Sequence, residues 1–245
     1  MRFVPSMLLW AWVLAWVFPV AAQAEEDPGR FRRLRGAMVR DQIQEPPDFR
    51  TPVRDQCVLR ALRVVPRHAF VRSGDRDRAY GDYPLPIGYG QTISQPYIVA
   101  RMTEMLQVKP DHRVLEVGTG SGYQAAVLSR LVKEVFTVEI IQNLAEAAEK
   151  RLNRLGYDNV HVRVADGYYG WQEHAPFDRI IVTCAAGLVP PPLIRQLRPG
   201  GRICIPVGAP YAVQYLTLVE KTPDGDILLR KELPVRFVPL TRTLR

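Results

Sequence analysis

Residues 115–122 read Leu-Glu-Val-Gly-Thr-Gly-Ser-Gly, so three glycines alternate with small residues directly after an apolar run. Glycine has no Cβ, which lets the backbone pass close to a ligand. A second, mainly apolar run at 135–138 is followed by Glu139, and a carboxylate at the tip of a strand can accept both hydroxyls of a ribose. Together these features predict one nucleoside-binding β-α-β unit.

Two common phosphate-binding motifs are excluded by the same stretch. A dinucleotide fingerprint, G-x-G-x-x-G, would place its last glycine at position 123, which is Tyr123. No Gly-Lys-Ser or Gly-Lys-Thr follows the turn, so it is not a phosphate-cradling P-loop either.

Apolar runs and helical patterns alternate along the middle of the chain, with short links between them. This alternation predicts a doubly wound, Rossmann-like α/β fold, in which a mainly parallel sheet carries helices on both faces. Gly156 and Gly200–Gly201 fall where helix C-caps are expected. The predicted strands are 113–117, 134–140, 159–164, 178–184 and 202–207, and the predicted helices are 123–132, 142–155 and 190–198.

The two ends of the chain have other patterns. Helices are predicted upstream at 32–44, 55–65 and 97–106, with a Gly- and Pro-rich loop at 80–96 that is long enough to be functional. Downstream, Pro223-Asp224-Gly225 separates 213–220 from 226–231, which predicts an antiparallel hairpin at the sheet edge. We expect one domain at 25–245, with a substrate-loop region (36–110), a cofactor-binding core (111–210) and a tail (211–245).

Composition narrows the class of protein. The chain has 245 residues, is 47% hydrophobic and 24% charged, and carries a formal net charge of +8. Its Lys and Arg residues form no long run and are not interleaved with aromatic residues, so we predict a solvated basic surface and no nucleic-acid partner. The three cysteines, Cys57, Cys184 and Cys204, have no metal-ligand spacing, and their odd number does not suggest a disulfide framework.

Residues 1–24 have the pattern of a signal peptide. Arg2 precedes an apolar stretch at 7–20, and Ala22-Gln23-Ala24 carries small residues where a signal peptidase cleaves. The apolar stretch is shorter than the ~20 residues that span a bilayer. We therefore expect a periplasmic or otherwise exported protein, with no stable membrane insertion after cleavage. One alternative is that the stretch stays on the protein as an uncleaved anchor. The other is that the start codon is misassigned, in which case the protein would be cytoplasmic.

Three polar features are predicted to meet at one rim of the sheet, since ligands bind beyond the carboxyl ends of parallel strands. Gly118–Gly122 follows the first strand, Glu139 ends the second, and Asp166-Gly167 ends the third. Asp166 could accept from an adenine amino group, and the glycine turn could hold an amino-acid carboxylate on its N–H groups. A ligand with a ribose, an adenine and an amino acid is S-adenosyl-L-methionine. The alternative is a glycine turn beside ordinary strand-end carboxylates.

Several segments resemble a known family. Residues 115–124 resemble the first motif of class I methyltransferases. The stretch Pro84-Leu-Pro-Ile-Gly-Tyr-Gly-Gln-Thr-Ile-Ser-Gln-Pro-Tyr97 closely resembles the substrate loop of protein-L-isoaspartate (D-aspartate) O-methyltransferases, and the similarity runs from about Gly36 to Thr241. Further matching segments are Val65–Val71, Asp166–Tyr168, Phe177–Thr183, Leu197–Arg202 and Val235–Leu240.

The resemblance implies methyl transfer from S-adenosyl-L-methionine to the free carboxylate of L-isoaspartyl residues in damaged proteins and peptides, leaving S-adenosyl-L-homocysteine. The ester then closes to a succinimide, whose hydrolysis starts repair. It implies a catalytic Ser94 and a substrate site of Thr92, Ser94, Tyr97, Phe237 and Val238. It implies a cofactor site of Gln91, Thr92, Ile93, Gly118, Thr119, Gly120, Ser121, Gly122, Glu139, Ile140, Asp166, Gly167 and Thr241, and no metal.

The implied reaction needs no nucleophile or general base from the protein. A carboxylate with a pKa of about 4 is already ionised at neutral pH, and a sulfonium is already activated, so positioning and exclusion of water remain. We therefore expect the Ser94 hydroxyl to donate to the substrate carboxylate. Its structural alternative is a turn or an N-cap for the helix that follows.

One alternative function is methylation of nucleic-acid bases. Methylation of base amino groups usually needs an Asn/Asp-Pro-Pro-aromatic element after the fourth strand, where this chain has Thr183-Cys-Ala-Ala186. Methylation at C5 of cytosine needs a Pro-Cys dipeptide, which the sequence lacks, so this alternative is rejected. The second alternative is an exported peptide-binding module that has the fold but no turnover. It is considered because S-adenosyl-L-methionine is made in the cytoplasm, so an exported enzyme would need a supply of it. The glycine turn, Glu139 and Asp166 count against it.

We expect the protein to be a monomer.

Overall fold

The computed structural model describes residues 28–242, so the predicted leader at 1–24 lies outside the described residues. The strands are β1 Leu85–Gly88, β2 Gln91–Ile93, β3 Arg113–Val117, β4 Glu134–Glu139, β5 Val160–Val164, β6 Phe177–Val182, β7 Leu197–Val207, β8 Gln214–Lys221 and β9 Ile227–Val235. The α-helices are α1 Pro28–Ala37, α2 Gln56–Val64, α3 Pro96–Leu106, α4 Tyr123–Ser129, α5 Gln142–Arg154 and α6 Pro191–Gln196. A π-helix, Met38–Gln44, continues α1.

Seven strands form the central sheet, in the order β5-β4-β3-β6-β7-β8-β9. The strands from β5 to β7 are parallel, while β8 and β9 add an antiparallel hairpin at one edge. The predicted Rossmann-like fold with an antiparallel edge is therefore confirmed. Strand order reverses next to β3, since the chain runs outward to β4 and β5 and then returns to β6 on its other side. This reversal is the switch point at which such sheets bind ligands.

Side chains that alternate along the strands build a core on each face of the sheet. On one face, Val114 of β3 and Ile181 of β6 pack with α2, α3 and α4. On the other face, Leu115 of β3 and Ile180 of β6 pack in the cluster that includes Leu193 of α6. Burial on both faces explains why these strands read as nearly continuous apolar runs. None of the helices within 28–242 is both long and apolar enough to cross a membrane.

One of the two predicted glycine C-caps is confirmed. The N–H of Gly156 donates to the Asn153 carbonyl and that of Tyr157 to the Leu152 carbonyl, both at 3.1 Å, with Gly156 at φ = 72°. These are the two hydrogen bonds of a Schellman motif at the end of α5.

The C-cap predicted at Gly200–Gly201 is wrong. Helix α6 already ends at Gln196, and both glycines lie inside β7, where the pairing with β6 is irregular. The cause is Pro199, because the residue before a proline is disfavoured in the helical conformation.

The Gly- and Pro-rich segment at 80–96 is more regular than its sequence suggests. Strands β1 and β2 pair antiparallel there, joined by a turn in which Tyr89 and Gly90 have φ values of 53° and 71°. The prolines at 84 and 86 and the non-glycine residue at positive φ hide this hairpin from pattern-based prediction. The hairpin leads directly into Ser94 and α3.

Candidate active site

The glycine loop, residues 118–122, runs from the carboxyl end of β3 into α4. Gly118 has φ = 99°, and a Cβ on it would lie 2.4 Å from Oγ1 of Thr183. That hydroxyl donates to the Gly118 carbonyl at 2.6 Å, so the loop is in direct contact with the residue that follows β6. Only glycine permits both this backbone conformation and this approach.

Glu139 lies beside the glycine loop, as predicted from the end of β4. Its carboxylate accepts hydrogen bonds from the backbone N–H of Gly120 at 2.8 Å and from those of Ile140 and Ile141 at 3.0 Å each. The side chain is 6% exposed, so these three donors fix its orientation. A carboxylate has about four acceptor positions, and about one therefore remains for a ligand hydroxyl.

Asp166 and Gly167 form the third part of the rim. One oxygen of Asp166 accepts from the Tyr168 N–H at 3.0 Å, and the other lies 3.4 Å from Nε of Arg242. A Cβ on Gly167 would lie 2.4 Å from Val117 of β3, so glycine is required for this turn to pack on the sheet. The Arg242 guanidinium stacks 3.8 Å from the Tyr168 ring, which connects the tail to this turn.

Three adjoining cavities surround the rim. The wide cleft, of about 720 Å³, lies between the start of α3 and the segments 211–214 and 234–238. The loop cavity lies between the glycine loop and the tail at 238–241. The inner cavity lies between the glycine loop, the end of β2 and the start of α4. Thr92 and Thr183 line all three, so the cavities meet at these two side chains.

Most of the predicted site residues line these cavities. Those on the loop cavity are Gln91, Thr92, Gly118, Gly120, Glu139, Ile140, Gly167, Val238 and Thr241. Those on the inner cavity are Thr92, Ile93, Ser94, Gly118, Thr119, Gly120 and Ser121. Those on the wide cleft are Thr92, Ser94, Phe237 and Val238.

Three predicted site residues lie elsewhere. Gly122 is the N-cap of α4, and a Cβ on it would meet Leu152 of α5 at 3.2 Å, so it serves helix packing. Asp166 lines a separate cavity, together with Arg163 and Glu173, and none of the three cavities described above. Tyr97 is buried in α3, where its hydroxyl donates to the Thr51 carbonyl at 2.9 Å.

Ser94 lies between the wide cleft and the inner cavity and lines both. The capping alternative is not observed, since the N-cap of α3 is Gln95 and the Tyr97 N–H is bonded instead to Asp82 at 3.1 Å. The Ser94 hydroxyl forms no hydrogen bond with any residue in 28–242. It is thus available as a donor to a ligand at the junction of the two cavities.

Glu116 is a site residue that the sequence analysis missed. It precedes Val117 on β3, is 0% exposed, and lines the inner cavity with Ser94 and Gln124. Neither of its carboxylate oxygens has a hydrogen-bond partner among the described residues. Burial raises the pKa of this carboxyl to about 8, so it is mainly protonated at neutral pH. Its place two residues before the first glycine was the available signal, but its burial and lack of partners appear only in three dimensions.

Comparison with known proteins assigns the chain to a family. Residues 48–245 match the model of the family described as protein-L-isoaspartate(D-aspartate) O-methyltransferase. The chain belongs to this family. Its relatives include a protein-L-isoaspartate O-methyltransferase 2 of Polaromonas sp. strain JS666, 60% identical over 190 residues that cover 78% of this chain and 90% of the relative. Another of that name, from Syntrophobacter fumaroxidans, is 56% identical over 227 residues, 90% of each chain.

Solved structures of the family share the fold. A protein-L-isoaspartate O-methyltransferase superposes with a TM-score of 0.70 at 33% identity, and the match covers 76% of this chain and 61% of that longer one. A Plasmodium falciparum protein described as a beta-aspartate methyltransferase, in complex with S-adenosyl-L-homocysteine, has a TM-score of 0.70 at 24% identity, covering 87% and 99%.

The residues of the loop cavity fit the family's cofactor, S-adenosyl-L-methionine. A Cβ on Gly118 would collide with Thr183, and one on Gly167 would collide with Val117, so the backbone itself forms the cavity wall there. The Glu139 carboxylate, held by three N–H groups, lines the same cavity. The cavity encloses about 60 Å³, well below the ~300 Å³ at which small-ligand pockets begin. The loop cavity alone is therefore too small for a whole nucleoside, but it continues into the two cavities that it meets at Thr92 and Thr183. The tail wall is attached to the sheet by two backbone hydrogen bonds, both to Ala185.

Proposed function

We propose that the protein transfers the methyl group of S-adenosyl-L-methionine to the free α-carboxylate of L-isoaspartyl residues in damaged proteins and peptides. The family assigns the reaction type. The position of Ser94 is the observation that carries the proposal for this chain. Its hydroxyl stands between a wide cleft that can admit a peptide and the cavities of the glycine loop.

The chemistry requires little from the protein beyond geometry. Bound S-adenosyl-L-methionine supplies a methyl group on a positive sulfonium. The isoaspartyl carboxylate is ionised at neutral pH and attacks without a base. Proximity and alignment of two reactants can lower a reaction barrier by at most ~7–11 kcal/mol. A site that holds the carboxylate and the methyl group in line and excludes water can therefore supply much of the catalysis.

The residues around the meeting point of the cavities have distinct roles in this arrangement. The Ser94 hydroxyl donates to the carboxylate oxygen that does not attack and so orients the other one. The glycine loop and Glu139 hold the cofactor's amino acid and ribose. Thr92 and Thr183 line all three cavities and would therefore lie beside the methyl group and the carboxylate that receives it.

A matched pair of peptides tests the function. The purified protein is incubated with radiolabelled S-adenosyl-L-methionine and a peptide that contains either L-isoaspartate or L-aspartate at one position. We expect base-labile label on the isoaspartyl peptide alone, because only that isomer presents an α-carboxylate beside the extended backbone. Equal labelling of the two peptides, or none on either, would contradict the assignment.

We further propose that the protein works outside the cytoplasm as a monomer. The support for export is the leader-like pattern of residues 1–24, which lies outside the described residues. N-terminal sequencing of protein recovered from the periplasmic fraction should begin at Glu25. A chain that begins at Met1 and stays in the cytoplasm would refute export, and sedimentation at the mass of a dimer would refute the monomer.

A further inference from the structure

The wide cleft carries a single charge. Of the fifteen described residues that line it, only Arg236 has a charged side chain, and the others are apolar or neutral polar. None of these described lining residues is a carboxylate that could offset the charge. A peptide that enters the cleft therefore meets one fixed positive group on walls that are otherwise uncharged.

The backbone around Arg236 is anchored on both sides. Val235, the last residue of β9, is buried and pairs with Gln214 of β8. The N–H of Phe237 donates to the Gln214 side chain at 2.8 Å. Arg236 itself is exposed and lines the cleft, so its charge is attached to an anchored stretch of the cleft wall.

Within residues 28–242, the Arg236 guanidinium forms no ion pair or side-chain hydrogen bond, whereas Arg230 on the same hairpin pairs with Glu232. A guanidinium offers planar, bidentate donors that match a carboxylate better than a lysine ammonium does.

We infer that Arg236 binds a carboxylate of the peptide substrate and so selects substrates by charge; the inference rests on the proposed function. Every isoaspartyl substrate brings its own α-carboxylate, and some bring an acidic neighbour as well. Methyl transfer turns the isoaspartyl carboxylate into a neutral ester. If the bound carboxylate is the isoaspartyl one, methylation removes its charge and with it the attraction to Arg236; the charge of an acidic neighbour is unchanged by the reaction.

Steady-state kinetics on three isoaspartyl peptides test the inference. The peptides carry uncharged neighbours, a glutamate neighbour or a lysine neighbour. Exposed ion pairs are weak, so Arg236→Gln should raise KM by about two- to fivefold at low salt with kcat unchanged. The difference should vanish in about 1 M salt, where the Debye length is ~3 Å. Arg236→Lys should restore most of the affinity. Arg195→Gln removes an exposed arginine of α6 that lines none of the cavities, and it should leave KM unchanged.

The peptides identify which carboxylate is bound. An equal rise in KM on all three means that Arg236 binds the isoaspartyl carboxylate itself. A rise confined to the glutamate peptide means that it binds a neighbour, and Arg236→Glu should then prefer the lysine peptide. An unchanged KM on every peptide, or a loss of kcat that salt does not affect, would overturn the inference. If the unaltered protein methylates none of the peptides, the proposed function fails instead.

Discussion

The buried carboxyl of Glu116 makes stability depend on pH in a predictable way. Its pKa is raised from 4.5 to about 8 because the folded protein removes it from water, and the negative charge of Glu139 adds to the shift. Glu116→Gln keeps the size and neutrality of the protonated side chain but cannot ionise. Comparing the two proteins therefore isolates the titration of this one residue.

The sign and size follow from proton linkage. Between 4.5 and about 8 the residue is ionised in the unfolded chain and protonated in the folded one, so folding takes up a proton. The protonated Glu116 carboxyl makes its full contribution to the free energy of unfolding below pH 4.5, and this contribution is lost as the pH rises through about 8. Within that window the free energy of unfolding falls by about 1.4 kcal/mol per pH unit relative to the variant, on the order of 5 kcal/mol in all.

Urea unfolding measures this difference. The free energies of unfolding of the unaltered protein and Glu116→Gln should diverge steadily from about pH 5 to about pH 8, with the variant gaining by about 1.4 kcal/mol per pH unit. Glu149→Gln, an exposed substitution on α5, is the control and should show no such divergence. Parallel curves for Glu116→Gln would show that the carboxyl ionises normally in the fold, and the account of its burial would be refuted.

Three further outcomes are expected. Ser94→Ala should lower kcat by at least ~10-fold while isothermal titration gives nearly unchanged cofactor affinity; an equal loss of both would contradict a role confined to the substrate. Gly118→Ala should abolish cofactor binding and lower stability by ~1–3 kcal/mol, and a second change, Thr183→Ala, should recover the part due to the 2.4 Å contact. Glu139→Gln should weaken cofactor binding by at least ~10-fold, because one of the backbone N–H groups that now donate to the carboxylate would face the amide NH₂. Retained affinity would argue against a contact between Glu139 and the ribose.

The parts of the site that follow strand ends were predictable, and those defined by burial were not. Gly118 and Glu139 follow apolar runs, and parallel strands bring such residues to one rim whatever the side-chain details. Tyr97 lies three residues beyond Ser94 on a helix whose orientation turns it into the core. The inner position of Glu116 depends on how α4 and the end of β2 cover β3, which no local pattern encodes.

The attachment of the tail bears on the shape of the loop cavity. Two backbone hydrogen bonds to Ala185, of 2.7 and 2.8 Å, hold residues 238–240 over the loop cavity. Both bonds join main-chain atoms to a single residue, so a substitution that displaces Ala185 would displace this wall of the cavity as well.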